Sequence, residues 1–493
     1  MARSRQAPAR ETKRQAPARE ASKSGIIAYA KIFPSIGIAR VGNSPDEFFY
    51  GPEFHPPGTG KPADFRYRDA EGRIKRQAAR FRVYGFDAQD RVVCELTSER
   101  ATINWKVHLA NKKAAWFEFR GAAKAALQFA NAEEALTHPK RNGAAENGAI
   151  RRNPHSNRFE SDDTRKAFEI DGGEKSISGA DQRPAADPDG DRYRFKGCFK
   201  RGLNGYAGHE VYLGELHTDE QGRLVVLGGR GVSEPVGPGG PVSGDDRLAY
   251  WIVNYANNDH WHDDVSDGPV TAQVVLNDGT EVRVDGGAWV LVAPPDFAPD
   301  ITNLMTLYDV MEEAAIAGRL PSTPGCPPLR GLDSVSFRED IVPILSRMND
   351  YRWVSPLGLR GHGYRKPGAA GPEVFSPGSG DDDPTRKAGE LQTRERFFNV
   401  LRVPAYAGLD PQTGKPAEVD RALAAAQATT FYMPPLSGDE GDRTSGAPET
   451  WLTLTRLQYA RMERWKDGDS PLTARHPMRR AERRPSCSSS LGA

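Results

Sequence analysis

The chain has 493 residues, with 67 Lys and Arg against 66 Asp and Glu, a formal net charge of +1 and a pI near 7.7. That balance gives no argument for a nucleic-acid or strongly acidic partner, and the length supports large buried cores and more than one domain. The longest apolar runs are too short to span a bilayer, and no apolar signal region follows the basic N-terminus. No membrane partner is expected, and the cytoplasm is the default compartment, with unconventional export left open. Hydrophobic residues are 38% of the chain, so its bulk is expected to fold, while 50 Gly and 38 Pro imply many turns and long connections.

Residues 1–23 read as a disordered basic tail. They contain RQAPARE twice, interrupt helix at Pro8 and Pro17, and offer little to a core. The first strands are expected at Ile26 to Ile32 and Ile36 to Val41, closed by the turn Gly42-Asn43-Ser44-Pro45. Ala79 to Tyr84 and Arg91 to Leu96 alternate like strands around a connection at Gly85 to Asp90, and Trp105 to Leu109 is a further strand. Gly121 to Leu136 is Ala-rich and favours helix, and Asn142 to Arg165 reads as loop.

Val211 to Leu216 and Leu224 to Leu227 form a hairpin about a turn at Thr218 to Gly222. Thr271 to Leu276 and Glu281 to Val284 flank Asn277-Asp278-Gly279, residues that tolerate positive φ. Ala288 to Val292 is a strand stopped by Pro294-Pro295. Leu304, Leu307, Tyr308, Met311 and Ala315 recur at helical spacing, which predicts an amphipathic helix ending near Gly318. Gly358 to Thr385 reads as a long loop, and Arg394 to Val403 and Val419 to Ala428 as short regular elements. Thr455 caps a last helix carrying Leu457, Ala460 and Trp465, stopped by Gly468. The fold class this implies is α+β and strand-rich, with mixed and antiparallel sheets and peripheral helices.

Few residues suggest chemistry. Cys94, Cys198, Cys326 and Cys487 are far apart and form no C-x-x-C pair, so the first three read as buried reduced thiols. His260, His262, Asp263, Asp264 and Asp267 are the densest polar group, but no standard metal spacing is met, and His262, Asp263 and Asp264 cannot all face one side of a strand. The favoured reading is a turn whose aspartates accept backbone hydrogen bonds, with a substrate channel and a metal site as the alternatives. Gly228 to Gly231 and Val236 to Gly240 lack a phosphate-cradle pattern, and Ser233 and Ser243 sit in no nucleophile elbow. Lys106, Lys112 and Lys113, beside Trp105 and Trp116, read as strand-edge and solvated charges, and Trp289 as a core residue.

Seven segments, in order, resemble one family. They are IFPSIGIARVGNSPDEFFYGPE (Ile32 to Glu53), IKRQAARFRVYGFD (Ile74 to Asp87), WKVHLANKKAAWFEF (Trp105 to Phe119), VYLGELHTDEQGRLVVLGGRG (Val211 to Gly231), HWHDDVSDGPV (His260 to Val270), GAWVLVAPPDFAPDITNLMTLYD (Gly287 to Asp309) and LTLTRLQYARMERWKDG (Leu452 to Gly468). They resemble the N-terminal and central parts of the cysteine tryptophylquinone-dependent amino-acid oxidases, the lysine epsilon-oxidase and glycine oxidase family. The resemblance implies oxidative deamination of a primary amine on an amino acid by oxygen, with a quinone made from the protein's own Cys and Trp as the electron sink. It also implies a flavoprotein maturation partner, and a homo-oligomer is left open.

With the composition of the two ends, the resemblance divides the chain into a disordered basic tail (1–23), an N-terminal strand-rich oxidase-family domain (24–300), the incomplete beginning of a C-terminal oxidase-family domain (301–468) and a disordered, frameshift-like tail (469–493). The family's cofactor Cys and its partner Trp lie beyond the helix that ends at Gly468. Here Cys487 is the only later Cys, no Trp follows Trp465, and the family's aspartate before that Cys falls on Arg483. The basic, Ser-rich text after Gly468 reads as a shifted reading frame or an early stop. No residue is therefore assigned as catalytic, cofactor-binding or metal-ligating, no cofactor is expected in this chain, and the scaffold is expected to be inactive alone. The alternative is a non-catalytic binding or assembly module for the flavoprotein.

Overall fold

A computed structural model describes residues 26–51, 53, 65–113, 169–184, 190–199, 208–237, 240–241, 261–299, 301–319, 329–362, 384–405, 409–436 and 451–468. The expected helix at Gly121 to Leu136, the loop at Asn142 to Arg165 and both tails lie outside the described residues.

The chain opens with β1 (Tyr29–Phe33), β2 (Ile36–Arg40) and β3 (Phe48–Tyr50), then β4 (Arg76–Phe86), β5 (Val92–Leu96) and β6 (Ala101–Asn111). Next come β7 (Ile170–Ser178), β8 (Arg194–Phe199), β9 (His209–Thr218) and β10 (Leu224–Gly228). β11 (Ser233–Gly237), β12 (Gly240–Pro241) and β13 (Trp261–Asp263) make a separate three-stranded sheet in the order β12-β11-β13. β14 (Ser266–Leu276), β15 (Glu281–Val282) and β16 (Ala288–Ala293) return to the main sheet. That sheet has 13 strands in the order β7-β6-β14-β16-β2-β4-β10-β9-β8, with β1, β3 and β5 paired to β4 and β15 paired to β14. β16 on β2 and β3 on β4 are parallel, and the other strand pairs are antiparallel, so the sheet is mixed as the sequence predicts.

The two-residue period of a strand sorts the side chains. On β6, Ile103, Trp105, Val107 and Leu109 are buried while Thr102 and Asn104 face out. On β16, Ala288, Val290 and Val292 face the core, which puts Trp289 on the other face at 43% exposure. Its indole N–H donates to Asp267 Oδ2 at 2.9 Å. The expectation of a core Trp289 is corrected by that alternation. At the Asn277-Asp278-Gly279 turn, Gly279 has φ +86° and the Asp278 carboxylate accepts the Thr280 N–H.

β4 has two unlike faces. Ala79, Phe81 and Val83 enter the main apolar core. Arg76, Arg80 and Arg82, at alternate positions, meet carboxylates instead. Arg76 donates to Glu215 at 3.0 Å, Arg80 grips both oxygens of Glu53, and Arg82 donates to Glu53 at 2.8 Å.

The helices are α1 (Leu307–Ala317), α2 (Val342–Asp350), which a π-turn at Phe337–Ile341 leads into, α3 (Pro356–His362), α4 (Pro384–Phe398), α5 (Arg421–Ala426) and α6 (Arg456–Lys466). A second core gathers Leu304, Phe337, Ile341, Met348, Phe398, Met462 and Trp465, among others. α6 begins at Thr455 with a reciprocal cap from Gln458, and Gly468 follows it at φ +88°, as the sequence indicates. α3 and the start of α4 occupy the two ends of the expected loop at Gly358 to Thr385. No helix among the described residues is long and apolar enough to cross a membrane.

α1 departs from its sequence pattern. Leu307, Tyr308, Val310 and Met311 are 44–55% exposed. The helix instead docks through acids. Asp309 accepts Arg347 at 2.7 Å, Glu312 takes a two-pronged bond from Arg461 at 3.0 Å, and Glu313 accepts the Leu457 N–H at 2.7 Å. The last contact places a carboxylate at the N-terminus of α6, where free N–H groups and the helix dipole favour it.

Arg402 is the largest polar investment in this second core. It is 1% exposed, and among the described residues its hydrogen bonds go to backbone carbonyls: Gln427, Thr429, Tyr432, Pro434 and Leu452. Its guanidinium also lies 4.5 Å from the Trp451 ring centroid. Burial lowers its pKa to about 10, so it stays charged at neutral pH. Arg402→Met strips the donors from these carbonyls and is expected to cost about 3 kcal/mol or more, and Arg402→Lys, with three donors, recovers only part. Urea unfolding of the three proteins checks this; a midpoint for the Met variant within error of the parent would refute it.

Candidate functional site

The structure divides the His260 to Asp267 group. His260 lies outside the described residues. β13 carries Trp261, His262 and Asp263, and its pairing with β11 sets Ser233 opposite Asp263, Glu234 opposite His262 and Pro235 opposite Trp261. Asp263 turns one way: it accepts Asn111 Nδ2 at 2.8 Å, Lys113 Nζ at 2.6 Å and the Val265 N–H at 3.3 Å. Asp267 holds the Trp289 indole. These aspartates are structural, but the favoured reading of a turn with backbone donors is corrected: both lie on strands, and their donors are mainly side chains, with the Val265 N–H joining them at Asp263. Lys113 is ion-paired to Asp263, Lys106 to Glu174 and Lys112 to Glu169, in line with their reading as solvated charges, although β6, which carries Lys106, is paired along both edges rather than at a sheet edge.

His262 turns the other way and is almost wholly buried, 2% exposed. Its Nε2 lies 3.7 Å from Glu234 Oε1, and His209 Nε2 lies 3.8 Å from the same oxygen. The two imidazole centroids are 5.3 Å apart with planes tilted by 42°. Phe199, which pairs with His209 across β8 and β9, sets its ring 5.3 Å from that of His262. One donor atom from each of His209, Glu234 and His262 lies within 4.8 Å of the other two. Sequence reading singled out His262 alone of these three. Glu234 and His209 lie on separate strands, and no local spacing joins them.

Asp264 is also buried, 2% exposed, with its carboxyl oxygen against Gly229. A Cβ at residue 229 would lie 2.3 Å from Asp264 Oδ2, so only glycine leaves room there. Burial pushes the Asp264 carboxyl up to about 6, and hydrogen bonds from the backbone of Val232, Arg230 and Gly231 oppose that rise.

Elsewhere, a surface cleft of about 490 Å³ is lined by Phe48, Phe49 and Phe65 with Arg66, Arg68 and Lys75 and the acids Glu47 and Asp69. Its charges are partly paired, Lys75 to Glu47 at 2.6 Å. Cys94 is partly buried on β5 opposite Gly85, and Cys198 lies on β8 opposite Glu210.

The fold has counterparts among solved structures. Residues 33–292 match the family model described as L-lysine epsilon oxidase N-terminal, and the chain belongs to that family. The L-lysine 6-oxidase of Marinomonas mediterranea is 32% identical over 469 residues, a match that covers 89% of this chain and 57% of that protein. The solved structure of the epsilon-lysine oxidase from Marinomonas mediterranea aligns with a TM-score of 0.56 at 25% identity, covering 90% of this chain and 61% of the other. A Schiff base intermediate of that L-Lys epsilon-oxidase with L-Lys aligns over the same shares at 25% identity with a TM-score of 0.55. The chain thus spans about three-fifths of the length of these relatives.

Asp264 generates a pH prediction. Its folded value, about 6, lies above the ordinary 3.8, so between these values the native state holds a proton that the unfolded chain has released. Stability therefore falls as pH rises through that window, by about 3 kcal/mol from this group. Asp264→Asn removes the titration and is expected to gain stability relative to the parent at neutral pH but not at about pH 4. Urea midpoints of both proteins across that range test it; pH curves that stay parallel would count against it.

Proposed function

We propose that residues 26–468 are the structural framework of a quinone-dependent amino-acid oxidase, and that these 493 residues alone carry no amine-oxidising activity. The observation that carries the first half is the family match over residues 33–292, together with a fold shared along 90% of this chain. In the complete enzyme the chemistry would be oxidative deamination of a primary amine on lysine or a related amino acid, with oxygen as the final acceptor. The protein's part is to orient the substrate and to supply a base for the proton beside the amine.

The described residues do not fit a quinone built from a Cys and a Trp. Across their strand ladders Cys94 faces Gly85 and Cys198 faces Glu210, so neither cysteine stands opposite a tryptophan. Burial raises the Cys94 thiol pKa, which disfavours the reactive thiolate. Trp105 is wholly buried with its N–H on the Gly222 carbonyl, and Trp289 is held by Asp267. No step is therefore routed through a quinone on these residues.

A second reading, a binding module for a partner flavoprotein, is favoured by the exposed apolar run Leu307, Tyr308, Val310 and Met311 on α1. To separate the two, the chain is produced with its cognate flavoprotein, purified, stained for protein-bound quinone by redox cycling and assayed for peroxide from L-lysine and glycine. No stain and no peroxide are expected. A positive stain with peroxide release would overturn the claim of inactivity, and capture of the flavoprotein that is lost in Met311→Asp would favour the second reading.

A further inference from the structure

We propose that His209, Glu234 and His262 bind one divalent cation of the zinc class. Three strands deliver the three donors. β9 brings His209 from the main sheet, β11 brings Glu234, and β13 brings His262 directly opposite Glu234 in the ladder. Both imidazoles point Nε2 at one carboxylate oxygen, at 3.8 Å and 3.7 Å. Zinc binds nitrogen and carboxylate oxygen at about 2.0–2.2 Å, so donors at tetrahedral to trigonal angles stand roughly 3.3–3.8 Å apart. The two Nε2 to Oε1 separations fall within that range, and all three donors lie within 4.8 Å of one another, so side-chain adjustment about a central cation closes the set.

The donor chemistry selects the cation. Two imidazoles and one carboxylate suit zinc and its first-row neighbours, whereas calcium and magnesium favour oxygen-only shells. Ligand access is one-sided. The His262 side chain is 1% exposed and backed by the Phe199 ring, while the side chains of Glu234 and His209 are 19% and 28% exposed. The buried imidazole is fixed by packing, and the cation arrives from the more exposed His209 side. Within the fold, the cation would join the small β12-β11-β13 sheet to β9 of the main sheet. β11 and β13 pair only with one another and with β12 among the described strands, so such a bond would add a tie that the backbone ladders do not provide.

The competing account is a simple ion pair in which a protonated imidazole faces the Glu234 carboxylate. The two accounts differ in what they bind. The full chain, stripped of metal by a chelator, is titrated with zinc by calorimetry and with cobalt(II) by visible absorption, and its thermal midpoint is followed with and without zinc. Expected are one equivalent of zinc per chain, a cobalt d–d spectrum of low coordination number, and a midpoint that rises with zinc and falls back on adding chelator. His209→Gln and Glu234→Gln are expected to weaken zinc binding at least about tenfold. His209 is half-buried at the edge of the site, so its variant should fold, and an unchanged melt without zinc verifies that it has. His108→Gln, which alters an exposed histidine bonded to Asp171, serves as the control and should bind as the parent does. Absence of stoichiometric uptake, or uptake that both site variants retain, would overturn the proposal. Neither outcome depends on whether the chain oxidises amines.

Discussion

The strand Arg76–Phe86 is the member on which the sheet depends, because it is buried on both faces and paired along both edges. Val83 to Phe86 are in register with β1 and with β5, while the first half of the strand meets β2, β3 and β10. One face is apolar and enters the main core. The other presents three arginines, and a buried guanidinium is tolerated only where carboxylates and hydrogen bonds replace its water. Those carboxylates come from separated segments: Glu53, Glu95 on β5, Glu215 on β9 and Asp219 in the turn after it. A slip of one residue in β4 would send arginines into the core and Phe81 into the acids. The ion pairs therefore fix register more than they add stability, since most of their Coulomb gain offsets desolvation.

That register reaches the polar sites through the β9–β10 hairpin. Arg223, just before β10, grips Glu95 through both carboxylate oxygens, which ties the hairpin to β5. Gly214 adopts φ +141°, and a Cβ there would lie 2.1 Å from the Leu227 carbonyl, so the two strands approach as closely as only glycine permits. From Gly228 the chain passes over Asp264 and enters β11, which pairs with β13. The close contact of Gly229 with the Asp264 carboxyl and the pairing of Glu234 with His262 are thus two results of one path. The GGRG segment is conformational rather than phosphate-binding: Gly228 makes room for Val292, Gly229 for Asp264, and Gly231 takes φ +77°.

The strands of the main sheet were largely legible in the sequence, since alternation and turn chemistry act over a few residues. The hairpin about Thr218 to Gly222, the Asn277 to Gly279 turn and the Thr455 cap all have local causes. β3, β7, β8 and the small three-stranded sheet were not foreseen. They are short or rich in Gly and charge, and held by partners distant in sequence, so their own propensity says little. α1 shows the opposite failure. Its helical period is real, yet Asp309, Glu312 and Glu313 find buried arginines and a helix N-terminus, and these charge-assisted contacts orient the helix with its apolar residues outward. Periodicity predicts that a helix forms; which face is buried depends on what the neighbouring elements offer.

The same distinction governs the candidate site. The aspartates beside His262 looked like the chemistry because they were adjacent, but adjacency on a strand alternates faces, and Asp263 and Asp267 were drawn off to Lys113, Asn111 and Trp289. What converges on His262 is one residue from each of two other strands, and only tertiary pairing brings them together. A histidine and a glutamate at isolated positions carry no signal in a single sequence, because either residue alone is commonplace on a strand edge. Their meaning comes from the ladder that sets Glu234 opposite His262 and from the end of β9 that brings His209 to the same oxygen. In a sheet of this kind the framework can be read from short-range pattern, whereas a site assembled across strands is specified by register, which is a property of the whole sheet.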